Sequence, residues 1–231
     1  MSSVQLEVLA DDAAVARRGA AVIAAEARAA VAGRGRFCLA LSGGRTPWAM
    51  LRALADEDVP WAGVQLFQVD ERIAPAGDAQ RNLTHIAANL LVRVPLPAAQ
   101  VHALPVEAAD PAAAALGHGA LLRSHCGTPP VLDLVHLGLG ADGHTASLVP
   151  GDPVLDVTDA ELAITGPYQG HRRMTLTYPV LNAARRVLWL ATGAEKQSML
   201  ARLRSADPSI PAGRIESARA MLLTDRAAVG G

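Results

Sequence analysis

Apolar and polar positions follow two rhythms along this chain. Val4, Leu6 and Val8 are interleaved with Gln5 and Glu7, the period-two pattern of a half-buried strand. Asp11 or Asp12 then stands where a side-chain oxygen caps an Ala-rich helix to about Ala32, and Gly33 and Gly35 end it. Residues 37–41 are an unbroken apolar run that passes directly into Ser42, Gly43, Gly44, Arg45, Thr46 and Pro47, with a helix expected over residues 48–55. A further strand is expected at residues 64–69, a helix at 82–92, a break at Pro95 and Pro97, and a second Ala/Leu helix at 111–126. Residues 162–165 and 174–177 alternate as strands do, and 187–191 read as a buried strand ending at Thr192 and Gly193. Glu195 and Lys196 open a helix to about Arg204, and 220–223 form the last strand.

Strand and helix alternate over almost the whole length, which predicts an α/β fold with an open, mainly parallel sheet covered by helices on both faces. No internal repeat, low-complexity tail or linker interrupts it. About half of the 231 residues are apolar, enough for one large core, so residues 1–231 are expected to form a single domain.

Candidate chemistry concentrates in residues 131–150, VLDLVHLGLGADGHTASLVP. An apolar, β-branched run passes through Gly138, Gly140 and Gly143 to the one histidine beyond them, His144. A short helix is expected over residues 145–148, stopped by Pro150. His144 is thus expected at a helix start on the carboxyl edge of a strand, where open α/β sheets bind ligands and where the helix dipole disfavours an imidazolium. The loop at residues 42–46 offers amides at a helix N-terminus beside two hydroxyls and an arginine, the chemistry of a phosphate cradle, although it is not a Walker loop. Asp70, Glu71 and Arg72 end a buried strand with three charges, which suits the rim of a site better than a core; the alternative is a solvated turn. Residues 82–126 show no obvious chemistry.

Composition narrows the partner. The net charge of −1 advertises no surface for nucleic acid or membrane, so a small molecule is expected. No apolar run reaches about 18 residues, and MSSVQLE lacks a basic region followed by a hydrophobic one, so a soluble, unexported protein is expected. Cys38 and Cys126 form no disulfide framework or metal spacing, which fits the cytoplasm. Lys196 is the sole lysine among 21 basic residues, which hints at a position wanting a compact ammonium.

Three chemistries fit poorly. Gly138, Gly140 and Gly143 match G-x-G-x-x-G, but Asp142 would face a pyrophosphate, and Pro150 and Pro153 leave too little helix for a dinucleotide fold. A serine hydrolase lacks its G-x-S-x-G elbow, and Ser147 has no partner that sequence can name. The seven histidines are scattered and show no ligand spacing for a metal.

The blocks LSGGRTP, VDER, LGLGADGHTASLVP and RRMTLTYPVLNAARRVLWLATGAEK, in this order and spacing over nearly the whole chain, resemble the 6-phosphogluconolactonases. Their superfamily, with a Rossmann-like sheet, also includes glucosamine-6-phosphate deaminase/isomerase. In the deaminase the block after the histidine carries an acidic residue; Ser147, Leu148 and Val149 are uncharged here. The resemblance therefore implies hydrolysis of 6-phosphoglucono-δ-lactone, with the amino-sugar deaminase and a non-catalytic sugar-phosphate-sensing module as alternatives; no DNA-binding segment is visible for the latter. It implies His144 as general base, Asp142 and Asp70 as orienting groups and Arg72 as a candidate to stabilise the oxyanion. Gly43, Gly44, Arg45, Thr46, Arg72, Arg173 and Lys196 would gather around the substrate and its 6-phosphate. No metal or organic cofactor is implied, and the protein would be a monomer or small homo-oligomer. Arg45, Val149 and Arg81 depart from the residues expected at their positions.

Overall fold

A computed structural model describes residues 4–216 and 218–230. The first half of the chain comprises β1 (Gln5–Leu9), α1 (Asp12–Arg34), β2 (Phe37–Leu41), α2 (Arg45–Leu54), β3 (Val64–Gln68), β4 (Asp70–Arg72), α3 (Asn82–Asn89), β5 (Val101–His102) and α4 (Pro111–Cys126). The second half comprises β6 (Leu134–Gly138), β7 (Leu162–Ile164), β8 (Arg173–Leu176), α5 (Tyr178–Ala183), β9 (Val187–Ala191), α6 (Gln197–Arg204), β10 (Ala220–Asp225) and α7 (Arg226–Val229). Local chemistry explains the boundaries of α1: Asp11 accepts the Ala14 N–H at 2.7 Å, and Gly35 closes the helix in the left-handed region at φ 74°. Its inward face is mostly alanine with Gly19, so α2 packs close, and a Cβ on Gly19 would sit 2.9 Å from Met50 Sδ.

Seven strands form a parallel sheet in the order β1-β10-β9-β6-β2-β3-β5. All five residues of β2 and of β9 are buried, as expected for strands covered on both faces. Phe37, Leu39, Leu134 and Leu188 point into a core shared with α1, α2 and α3. Cys38, Ala40, Val135 and Trp189 point into a second core shared with α4, α6 and a small sheet. The predicted architecture is therefore the observed one.

Strand order locates the crevice. β2 and β6 are neighbours at the middle, but the chain leaves β2 toward β3 and β5 on one side and leaves β6 toward β9 and β10 on the other. The connections at their carboxyl ends diverge and open a cleft at this switch point.

Residues 70–72 are not a solvated turn: they form β4 in a second, antiparallel sheet of order β4-β8-β7, with Asp70 opposite Thr175 and Arg72 opposite Arg173, and Asp70 and Arg72 lie on the rim of the cleft. One local expectation fails. Residues 145–148 do not form a helix. Thr145 and Leu148 make an isolated bridge, and Ala146 turns the chain at φ 52°, a conformation incompatible with a right-handed helix. The dipole argument for His144 therefore has no basis in the fold.

Candidate active site

The loop after β2 is pinned from below. Ser42 turns inward: its Oγ donates to the His136 carbonyl at 2.9 Å, and its N–H donates to His136 Nδ1 at 3.3 Å. His136 is fully buried on β6, and burial pushes its imidazole down to about 3, so the ring is neutral and free to accept that bond. Gly44 then adopts φ 126°, which a side chain rarely permits, and α2 begins without any side-chain cap. The first helical bond is Trp48 N–H to the Gly44 carbonyl at 3.0 Å, so the amides of Arg45 and Thr46 have no helical acceptor and suit an anion. Thr46 Oγ lies 2.7 Å from Thr192 Oγ at the end of β9.

Two arginines face each other on the second sheet. Arg72 and Arg173 are register partners across β4 and β8, and the Nε of each is buried without a hydrogen-bond partner. Arg72 Nη1 donates to Asn82 Oδ1 at 2.8 Å. Burial first, and Arg72 second, push the Arg173 guanidinium below its usual range, and Arg173 is only 3% exposed. Like charges opposite one another in a sheet repel, so this pair is built to receive a negative group. The charges of Asp70 and Glu71 offset this only in part. Glu71 is fully buried and accepts the N–H groups of Arg72, Asn82 and Leu83 at 2.9, 2.8 and 2.8 Å, and so holds the start of α3. Asp70 does line the cleft, accepting the Ser147 hydroxyl at 2.6 Å and Asn82 Nδ2 at 3.3 Å. Ser147 thus has the partner that sequence could not name.

His144 enters from the loop after β6. Its Nδ1 lies 2.5 Å from Asp142 Oδ1, and the same oxygen accepts the His144 backbone N–H at 3.1 Å. The other Asp142 oxygen accepts the Tyr168 hydroxyl at 3.0 Å. Partial burial pushes the Asp142 carboxyl up, but the donors from His144 and Tyr168 outweigh it and hold it below its ordinary range. With the carboxylate accepting a hydrogen bond from Nδ1–H, the lone pair on Nε2 is the one left unengaged. Gly140 leaves the room for this ring: a Cβ there would lie 2.1 Å from His144 Nδ1. The imidazole is 23% exposed, neither buried among apolar groups nor free in solvent.

These groups share one cleft of about 230 Å³, entered from the carboxyl ends of the parallel strands. It brings together Gly43, Gly44, Asp70, Arg72, His144, Arg173 and Lys196, all named from sequence. Lys196 also lines an adjoining depression with Arg45 and Thr46, which stand outside the central cleft, and the Arg45 side chain is exposed. Asp142 does not line the cleft and stands behind His144. Asn82 and Tyr168 were missed, and Ser42, expected as a cradle hydroxyl, turns inward to His136 instead. Asn82 lies in a stretch read as carrying no chemistry, and only the strand pairing that brings α3 against β4 reveals it. Among the described residues, no group of three or more His, Cys, Asp or Glu side chains could hold a metal ion.

Known proteins resemble this chain in sequence and in fold. Residues 10–224 match the family described as glucosamine-6-phosphate isomerases/6-phosphogluconolactonase. A 6-phosphogluconolactonase of Synechocystis sp. is 36% identical over 210 residues, covering 88% of this chain and 87% of that protein. The solved 6-phosphogluconolactonase from Trypanosoma brucei is 27% identical, with a TM-score of 0.86 over 100% of this chain and 99% of its own. A monomeric glucosamine-6-phosphate deaminase, 16% identical with a TM-score of 0.85 over 98% of this chain and 99% of its own, shares the fold.

Proposed function

The chain belongs to the glucosamine-6-phosphate isomerase/6-phosphogluconolactonase family, and from that premise we propose that it hydrolyses 6-phospho-D-glucono-1,5-lactone to 6-phospho-D-gluconate with His144 as general base. The observation that carries this reading is the Asp142–His144 pair, 2.5 Å apart, opening into the same cleft as Arg72, Arg173 and Lys196.

A δ-lactone is an activated ester, so little is asked of the protein beyond a base and a charge-stabilising pocket. His144 Nε2 takes a proton from water as the oxygen attacks the lactone carbonyl, while Asp142 supports the imidazolium; such catalysis contributes roughly 10²- to 10⁴-fold. The tetrahedral intermediate carries its charge on the former carbonyl oxygen, and Arg72 is the candidate to stabilise it. Collapse breaks the bond to the ring oxygen, which takes the proton back from His144 and leaves the open-chain acid. The 6-phosphate sits against the Gly43 to Thr46 loop and Lys196, where amides without helical acceptors and a point charge suit it, with Arg173 alongside. No step calls on a metal or organic cofactor.

Amino-sugar deamination is the weaker reading because Ser147, Leu148 and Val149, the positions after the histidine, are uncharged and buried. Among the described residues no helix is long and apolar enough to cross a membrane. Cys38 and Cys126 are free thiols, which suits a reducing compartment such as the cytoplasm. The test is His144→Ala assayed on freshly generated lactone against its spontaneous hydrolysis. Loss of nearly all catalysed rate with unchanged 6-phosphogluconate binding is expected; retention of most of the rate removes His144 as base.

A further inference from the structure

Tyr168 stands outside every motif that marks the site, yet it touches both halves of it. It lies on the tight connection between β7 and β8, where Tyr168 and His171 pair through backbone bonds of 2.9 and 3.2 Å. The two residues between them, Gln169 at φ 50° and Gly170 at φ 83°, are both left-handed, the signature of a two-residue hairpin turn whose twist matches its strands. The tyrosine is thereby presented from a stiff hairpin rather than a wandering loop. Its hydroxyl donates to Asp142 Oδ2 at 3.0 Å. Its ring stands edge-on to the His144 imidazole, with centroids 5.4 Å apart and planes at 66°. On its face lies the Arg173 guanidinium, 5.0 Å from the centroid.

We propose that Tyr168 is a positioning residue that locks Asp142 and His144 in their working geometry and couples them to the anion-binding Arg173. The proposal rests on the reading of His144 as base. A carboxylate held only through Oδ1 is free to rotate about its χ2 bond. Tying Oδ2 to a phenol on a rigid hairpin fixes the carboxylate plane, and with it the direction in which His144 Nε2 points. The cation stacked on the same ring gives the anionic end of the substrate a direct mechanical neighbour of the base.

The test is kinetic and spectroscopic. Tyr168→Phe keeps the ring contacts and removes only the hydroxyl, so kcat is expected to fall about tenfold while KM for the lactone stays within about twofold. Tyr168→Ala also removes the platform under Arg173, and KM is expected to rise as well. Because the hydroxyl acts through Asp142, Tyr168→Phe is expected to cost nothing further in an Asp142→Asn background. A wild-type kcat in Tyr168→Phe, or an equal loss in both backgrounds, overturns the proposal. If His144→Ala itself keeps the rate, the functional reading has failed instead. The proton NMR signal of His144 Nδ1–H then still decides the structural tie: a shift in Tyr168→Phe supports it, and an unmoved signal refutes it.

Discussion

Gly140→Ala isolates the placement of the base from the stability of the fold. Gly140 does not occupy the left-handed region, so alanine is tolerated by the backbone, and the bond from Gly140 N–H to the His144 carbonyl at 2.8 Å is unaffected. The new Cβ would lie 2.1 Å from His144 Nδ1, 2.4 Å from its Cε1 and 2.6 Å from Asp142 Oδ1. Ordinary contact needs roughly 3.4 Å or more, so the imidazole must retreat by about 1 Å. All three atoms it meets belong to side chains that can swing, so the fold gives way cheaply and the site does not. Displacing a catalytic group by about 1 Å costs on the order of 10²-fold in rate. Thermal unfolding should therefore change little and KM should hold, because Arg72, Arg173 and Lys196 are untouched, while kcat falls about 100-fold. The assay is proton release from freshly generated 6-phosphoglucono-δ-lactone, with the uncatalysed rate subtracted. A kcat within about threefold of wild type would refute the dyad as the working pair.

Lys196→Ala should raise KM at least about tenfold with a smaller change in kcat, since contact with the phosphate is common to substrate and transition state; an unchanged KM in steady-state assays contradicts its assignment. Stability should fall in mild acid. Burial is the main cause pushing His102 and His118 down to about 4 and His136 to about 3, from an ordinary 6.5. Between these values and 6.5 the unfolded chain binds more protons than the folded one. The stabilisation is thus complete above about pH 6.5 and is lost as pH drops toward 4 and 3, at roughly 1 kcal/mol per pH unit for each histidine. Urea unfolding at pH 7 and pH 5 measures this, and equal midpoints would show that these rings are not held neutral.

Element type and much of the cleft could be read from the chain itself. Five-residue apolar runs such as residues 37–41 and 187–191 appear as buried parallel strands because both faces are covered and no polar alternation is needed. The residues at the carboxyl ends of those runs, Gly43, Gly44, His144 and Lys196, were legible for the same reason: a parallel sheet delivers its strand ends to one edge. What stayed hidden depends on contacts between segments distant in the chain. The pairing of Arg72 with Arg173 spans about a hundred residues, and no local pattern separates a strand of three charged residues from a turn. The short helix expected after His144 failed because Ala146 takes a left-handed turn, and Ser147 beyond it is held by Asp70, 77 residues away. Tyr168 gave no signal at all, since its place behind Asp142 follows from how one hairpin packs. Periodicity and glycine spacing are local and so determined which elements form and which end of the sheet is chemically active. The orientation of the base and the juxtaposition of like charges are consequences of strand register and hairpin docking, which only the folded chain decides.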